Sequence, residues 1–92
     1  MYEIKPSSRF RKDVKLLAKR GFDISLLTET IDLLASGEPL PARCCDHALR
    51  GKWLGHRECH VTPDWLLIYR KYEDVLVLAL SCIGTHADLF KK

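Results

Sequence analysis

The chain has 92 residues, of which 47% are hydrophobic and 29% are charged, and its formal net charge is +3. This composition predicts one small globular domain spanning residues 1–92 and excludes a disordered chain. A membrane-spanning chain is also excluded, because no apolar run is long enough to cross a bilayer. The first fifteen residues, MYEIKPSSRFRKDVK, contain no apolar segment of a secretory signal, so the cytoplasm is the expected compartment.

The first half of the chain predicts a short strand followed by two helices. Residues 2–5 are expected to form the strand, which Pro6 stops. Ser7 or Ser8 can cap the first helix and Asp23 can cap the second, and each helix ends before a glycine. Apolar residues recur at helical spacing in both segments, and the short connection between them predicts an antiparallel helical hairpin.

The second half of the chain changes to the patterns of strands. Residues 53–60, 65–72 and 75–82 predict three strands, and the joints between them are short enough for hairpins. Together with the N-terminal strand they would form an antiparallel sheet of about four strands, with the helical hairpin packed on its apolar face. The predicted fold class is therefore α+β, and we expect the other face of the sheet to be partly open.

Four cysteines, Cys44, Cys45, Cys59 and Cys82, raise the question of disulfides or a metal. In a reducing compartment we expect free thiols that pack as small hydrophobic residues. Several cysteines and histidines lie between residues 44 and 60, but no CxxC motif occurs, and adjacent cysteines on extended backbone point to opposite faces. We therefore predict no metal and no cofactor.

Positive charge is concentrated in the first predicted helix. Lys12, Lys15 and Lys19 recur on one side of it, whereas residues 21–40 contain four acidic residues and no basic one. This stripe is either a solvated helix face that pairs with acidic neighbours, or a surface that contacts RNA phosphates or an acidic partner. Lys52 is a further candidate for phosphate contact.

All four histidines, His47, His56, His60 and His86, lie in the second half of the chain. Imidazole titrates closer to neutrality than any other side chain, so a group of histidines can share acid and base roles at physiological pH. We expect His60 and His86 at the open face of the sheet. The pattern points to proton-transfer chemistry.

Three motifs carry a resemblance to a known family. They are HALRGKW at residues 47–53, RECHVTPDW at 57–65 and GTHADLF at 84–90. Together with the basic helix they cover nearly the whole chain and resemble the YafQ branch of the RelE/ParE toxin superfamily. Ile83 stands where the family commonly has a threonine.

The resemblance implies a RelE-like fold and the toxin of a type II toxin–antitoxin system. Such a toxin is a ribosome-dependent endoribonuclease that cuts mRNA in the ribosomal A site and inhibits translation. The positions that match the family's catalytic groups are His47, His60, Asp64 and His86, and Phe90 matches a base-contacting residue. The implied partners are mRNA, the 70S ribosome and an acidic, DinJ-like antitoxin that forms a heterotetramer with the toxin.

The residue types also suit this chemistry by themselves. Metal-free RNA cleavage needs a base for the 2′-hydroxyl, an acid for the departing 5′-oxygen and positive charge for the phosphate. We expect His86 to be the acid and either His47 or His60 to be the base. Arg57 can clamp the phosphate with its planar fork, and Asp64 can fix the tautomer of a neighbouring histidine.

The sequence alone leaves two other functions open. A member of the superfamily without catalysis could bind its antitoxin and a second protein such as gyrase, and substitution of His86 would then leave growth arrest intact. A zinc-binding RNA module would instead be recognised by metal analysis.

We expect Trp53 and Trp65 to pack rather than to stack on bases, and we expect His56 to be exposed. Residues 91–92, both lysines, suggest only general affinity for phosphate.

Overall fold

The structure, a computed structural model, describes residues 1–90 and is built on a five-stranded mixed sheet. Its helices and strands, in chain order, are β1 (Glu3–Pro6), α1 (Ser8–Lys19), α2 (Ile24–Ser36), β2 (His47–Ala48), β3 (Arg57–Thr62), β4 (Trp65–Tyr72), β5 (Val77–Gly84) and α3 (His86–Leu89). The strand order is β1-β5-β4-β3-β2. Lys91 and Lys92, with their predicted affinity for phosphate, lie outside the described residues.

The predicted α+β class is confirmed, with differences at the two edges of the sheet. β1 runs parallel to β5, and the other neighbouring strands are antiparallel. Pro6 belongs to β1 instead of stopping it, because an edge strand tolerates a residue without a backbone N–H. The fifth strand is β2, which pairs His47 with Glu58 and Ala48 with Arg57. A two-residue strand is too short to show a periodicity in the sequence.

The two long helices begin and end at the residues that the sequence indicates. The side chain of Ser7 accepts a hydrogen bond from the Phe10 N–H at 3.0 Å, and that of Asp23 accepts one from the Ser25 N–H at 3.0 Å. Gly37 ends α2 with a φ of +83°. Buried residues of both helices pack on one face of the sheet to form the main core, including Leu17, Leu27, Leu34, Trp65, Leu67, Tyr69 and Leu78. No helix within residues 1–90 is long and apolar enough to cross a membrane.

The strand predicted over residues 53–60 begins later, at Arg57, because a turn precedes it. Gly51 and Gly55 have φ angles of 64° and 91°, values that favour glycine. A Cβ on Gly55 would lie 3.2 Å from the guanidinium carbon of Arg70. Trp53 in this turn and Leu49 pack against a smaller apolar cluster on the second face of the sheet, formed by Leu66, Ile68, Cys82 and Leu89. The second face is therefore more covered than the sequence predicts.

Candidate catalytic site

Histidines collect on the second face of the sheet, opposite the main core. Side chains alternate along β3, so Glu58 and His60 point to the same side. Their cross-strand partners on β4, Ile68 and Leu66, belong to the smaller apolar cluster. His47 lies opposite Glu58 on β2. We call the surface that carries His47, Glu58 and His60 the histidine face.

A buried carboxylate lies between these two histidines. Glu58 is only 5% exposed. Its Oε1 lies 3.3 Å from Nε2 of His60 and 3.9 Å from Nε2 of His47. A carboxylate removed from water needs compensating partners, and His60 is placed to supply one when its Nε2 carries a proton. Sequence reasoning missed Glu58, although the two-residue period of a strand places it on the same face as His60.

Backbone carbonyls set the orientation of both rings. Nδ1 of His47 lies 2.8 Å from the carbonyl oxygen of Cys45, and Nδ1 of His60 lies 3.2 Å from that of Pro63. Because a carbonyl oxygen only accepts, each Nδ1 carries a proton and donates it. Nε2 of His47 is then available to take up a proton. Nε2 of His60 can donate to Glu58 when the ring is doubly protonated.

His86 is oriented by a second carboxylate, that of Asp64. Nδ1 of His86 lies 2.7 Å from Oδ1 of Asp64, and the backbone N–H of His86 donates to the same oxygen at 3.3 Å. The hydrogen bond from the His86 ring holds the pKa of Asp64 below its usual range. The ring centroids of His60 and His86 are 5.9 Å apart. The structure therefore brings His47, His60, Asp64 and His86 into one cluster.

Contacts at the start of α3 hold His86 in place. The side chain of Thr85 accepts from the Asp88 N–H at 3.3 Å, and the carboxylate of Asp88 accepts from the Thr85 N–H at 3.0 Å. Nη1 of Arg20 lies 3.0 Å from the same carboxylate oxygen of Asp88. The hydrogen bond from Thr85 is the main cause that lowers the pKa of Asp88. A Cβ on Gly84 would lie 2.9 Å from Cβ of Asp88, so this cap leaves room only for glycine.

Phe90 follows α3 and lies beside the cluster. Its ring centroid is 6.3 Å from that of His86, and its side chain is 38% exposed. An exposed aromatic ring next to acid–base groups can stack on an unpaired base. The position of Phe90 therefore suits the base contact that the sequence suggests.

The structure does not bring Arg57 to the histidines. Arg57 alternates with Glu58 along β3 and therefore lies on the opposite face, where its cross-strand partner is the buried Tyr69. Its Nε lies 3.2 Å from Oδ1 of Asp46, and this hydrogen bond raises the pKa of the guanidinium. The phosphate clamp that the sequence suggests for Arg57 is not supported by this placement.

The candidate lysines lie in two different places. Nζ of Lys52 is 5.9 Å from the ring of Trp53, within the turn that packs against the histidine face. Lys12, Lys15 and Lys19 are exposed on α1, and they join no ion pair in the described part of the chain. Of these four lysines, only Lys52 therefore belongs to an element that packs on the same side of the sheet as the histidine face.

The thiol groups of the cysteines form no hydrogen bond with the histidine cluster in residues 1–90. Cys44, Cys59 and Cys82 are buried and Cys45 is exposed, and all four are free thiols. Burial raises the pKa of the Cys82 thiol to about 11, so it stays protonated at neutral pH. Across residues 1–90 no three His, Cys, Asp or Glu side chains are grouped so that they could hold a metal ion.

The tryptophans and the fourth histidine are packing residues. Trp65 is 1% exposed in the main core, and Trp53 is half-buried on the second face. The sequence predicts an exposed His56, but its ring is half-buried because it packs edge-on against Trp53, with ring centroids 5.4 Å apart. His56 therefore packs within the turn and does not join His47, His60 and His86.

Comparisons with known proteins agree with the fold and the motifs. Residues 2–91 match the family described as the bacterial toxin of type II toxin–antitoxin system, YafQ. The mRNA interferase toxin YafQ of Escherichia coli K12 is 44% identical over 89 residues, which cover 96% of this chain and 95% of that protein.

Solved structures of similar proteins show the same architecture. The crystal structure of YafQ from E. coli BL21(DE3) is 42% identical and superposes with a TM-score of 0.91 over 98% of this chain and 99% of that one. YafQ in the E. coli DinJ–YafQ complex is 43% identical, with a TM-score of 0.89 over 98% of this chain and 99% of that one. This chain therefore belongs to the YafQ family of type II toxin–antitoxin toxins.

Proposed function

We propose that this protein is an endoribonuclease that cleaves mRNA, the toxin of a type II toxin–antitoxin pair. The observation that carries the proposal is the meeting of three imidazoles and two carboxylates on and beside the histidine face. Similar E. coli proteins named mRNA interferase toxins support the substrate class. The proposal extends to cleavage in the ribosomal A site, which inhibits translation.

His47 is the candidate base in this reaction. Its Nδ1 proton is engaged by the carbonyl oxygen of Cys45 at 2.8 Å, which leaves the lone pair of Nε2 available. Nε2 removes the proton from a ribose 2′-hydroxyl, and the resulting oxygen attacks the adjacent phosphorus. The side chain of His47 is 53% exposed, so a substrate can reach it. Because His60 is only 18% exposed, it suits this role less well.

His86 is the candidate acid. Oδ1 of Asp64 accepts a hydrogen bond from Nδ1 of His86 at 2.7 Å and orients the ring, so Nε2 is the nitrogen that delivers a proton. As the bond from phosphorus to the 5′-oxygen breaks, Nε2 protonates that oxygen. The products are a 2′,3′-cyclic phosphate and a free 5′-hydroxyl. Lys52 supplies positive charge for the phosphate, and His60 adds to it whenever its ring is protonated at both nitrogens.

The wider surface supports a ribosomal location for the reaction. Phe90 can stack on a base next to the scissile bond, and the exposed lysines of α1 can contact RNA phosphates. A histidine cluster this small touches little of a substrate by itself, so we infer that the ribosome presents the mRNA. The ribosome lies in the cytoplasm, which is therefore the proposed compartment.

The antitoxin is the second proposed partner. The similar E. coli YafQ has been crystallised in complex with DinJ. This chain carries a net charge of +3 and a basic α1, and such a surface favours an acidic, DinJ-like partner. We propose a heterotetramer of two toxins and two antitoxins, whose mass can be measured by light scattering of the co-expressed pair.

Single substitutions in a translation reaction test the enzyme activity. His47→Ala and His86→Ala should each slow mRNA cleavage by about 100-fold or more, since each removes one proton-transfer group. His56→Gln is a matched control that changes a histidine outside the cluster and should keep nearly full activity. Cleavage is measured by primer extension on a ribosome-bound message, and ribosome affinity is measured by sedimentation.

The same variants separate an enzyme from a binding protein. A toxin that acts only by binding a protein such as gyrase would still arrest growth after His86→Ala. Growth arrest by that variant, with its message intact, would therefore overturn the nuclease assignment. Unchanged cleavage in both alanine variants would overturn the assignment of the residues.

A further inference from the structure

We propose that Asp46, Tyr69 and Arg57 form a positioning network that fixes His47 on the histidine face. The inference rests on the proposed function, because the network acts through one of its candidate catalytic groups. None of the three residues meets the reacting atoms. They hold His47 from the opposite side of the sheet.

Strand pairing alone gives the segment that carries His47 little support. β2 consists of two residues, both exposed, and it pairs only with Arg57 and Glu58. Just before it, Cys45 has a φ of 47°, a left-handed conformation that is unfavourable for a residue with a side chain. So short a ladder is marginal in water. Another contact must therefore hold this segment in place.

Asp46 supplies that contact from the position next to His47. Adjacent residues on extended backbone point to opposite faces. Because His47 lies on the histidine face, Asp46 lies on the side of the main core. Its Oδ1 accepts a hydrogen bond from the hydroxyl of Tyr69 at 2.5 Å and one from Nε of Arg57 at 3.2 Å. Tyr69 is 1% exposed within the main core, so its hydrogen bond attaches Asp46 to a firmly packed side chain.

The register of the sheet makes the network specific. Arg57 pairs with Tyr69 across β3 and β4, and with Ala48 across β3 and β2. Oδ1 of Asp46, the residue that precedes β2, therefore contacts side chains from two neighbouring strands, β3 and β4. Two donors converge on one anionic acceptor, an arrangement stronger than neutral hydrogen bonds.

The two donors of the network, Tyr69 and Arg57, keep their protons at physiological pH. Burial first, and then the hydrogen bond to Asp46, raises the pKa of Tyr69, so the hydroxyl stays a donor. The pKa of Arg57 is also raised, first by its hydrogen bond to Asp46, so it stays a cation. Position matters because a displacement of about 1 Å of a reacting group can slow a reaction by about 100-fold.

Tyr69→Phe tests the inference, because it removes only the hydroxyl. The cleavage rate at saturating ribosome should fall by about ten-fold while the affinity for the ribosome stays unchanged, since only the placement of the base is altered. The ¹⁵N NMR signals of the His47 ring should shift from one hydrogen-bonded Nδ1–H form to a mixture of tautomers. If Tyr69 only stabilised the fold, a variant that keeps the wild-type melting temperature would show neither the lower cleavage rate nor the change in the His47 ring signals.

Tyr72→Phe is the matched control. Tyr72 lies on the same strand, and its hydroxyl makes no side-chain hydrogen bond in residues 1–90. This variant should leave the cleavage rate and the His47 signals at wild-type values. Lowered cleavage in Tyr72→Phe equal to that in Tyr69→Phe would overturn the inference.

Asp46→Asn reaches the same network from its exposed end and avoids any effect on the core. It should lower cleavage as Tyr69→Phe does, and the double variant should lose no more than the larger single variant, because both break one network. Wild-type cleavage and unchanged His47 signals in both single variants would overturn the inference. Failure of the proposed function would appear differently, as full cleavage by His47→Ala.

Discussion

The histidine face and the exposed side of α1 both present groups that suit RNA, but the protein holds them in different ways. On the histidine face each ring nitrogen that faces the protein has a partner, and Glu58 is buried between two imidazoles. On α1, Lys12, Lys15 and Lys19 are exposed. Proton transfer needs fixed geometry, whereas attraction to phosphate needs only charge. This contrast fits the proposal that the histidine face carries out the chemistry and that α1 binds RNA.

Among the residues that surround the histidines, replacing the buried carboxylate should produce the largest effect. Glu58→Gln keeps the shape of the side chain but removes the charge that faces His47 and His60. We expect cleavage to fall by about 100-fold, because the negative charge beside both imidazoles is lost. We also expect the free energy of unfolding to fall by about 1–3 kcal/mol, since a buried polar group is left badly paired. Single-turnover cleavage and urea denaturation measure the two effects.

Asp64→Asn is the comparison for that variant, because the side chain of Asp64 is 71% exposed. Cleavage should fall by about ten-fold as His86 loses its ionised partner. Stability should stay within about 0.5 kcal/mol of the wild type, as is usual for an exposed site. Equal losses of stability in Glu58→Gln and Asp64→Asn would show that burial does not distinguish the two carboxylates.

The α1 lysines should respond in the opposite way. In the double variant Lys12→Glu/Lys15→Glu we expect weaker binding to the ribosome and unchanged cleavage of message already bound. The slope of log affinity against log salt should decrease by about one for each phosphate that the helix no longer neutralises. Lys12→Arg/Lys15→Arg keeps the charge and should bind normally. If the double reversal binds as wild type at every salt concentration, α1 is a solvated face and docking takes place elsewhere.

The fold was predictable where a pattern repeats over many residues. The apolar spacing of α1 and α2, their capping residues, and the dense strands β4 and β5 all appear in the structure. The two-residue β2 was not predictable because it is too short to show a periodicity. The parallel pairing of β1 with β5 was not predictable because it joins segments from opposite ends of the chain. The late start of β3 depends on Gly51 and Gly55, whose left-handed conformations no periodicity indicates.

The site was predictable through its histidines and less so through what holds them. The motifs identify His47, His60, Asp64 and His86, which the structure groups together. A glutamate in a strand is by composition a surface residue, so Glu58 becomes informative only when pairing with β2 covers it. Arg57 shows the opposite case, since its charge suggests a phosphate contact but its register turns it towards Asp46.

The smallest predicted effect concerns Asp88. Its side chain is less buried than that of Glu58, but unlike the α1 lysines it takes part in an ion pair in residues 1–90. Its folded pKa is lowered, first by the Thr85 N–H and also by Arg20. A lowered pKa in the folded state stabilises the protein above the unfolded value near 3.8, and this stabilisation disappears as the pH falls through the folded value. Asp88→Asn should therefore be less stable than wild type at pH 7, by no more than about 1 kcal/mol, the usual worth of a helix cap.

The difference between Asp88→Asn and wild type should disappear in acid, where both side chains are neutral. Urea denaturation over a series of pH values measures it, and Asp32→Asn on the exposed side of α2 is the control. A difference that persists at a pH well below the folded pKa of Asp88 would mean that packing of the side chain, and not its charge, stabilises α3. Because α3 carries His86, cleavage at pH 7 should decline slightly in Asp88→Asn and remain unchanged in Asp32→Asn.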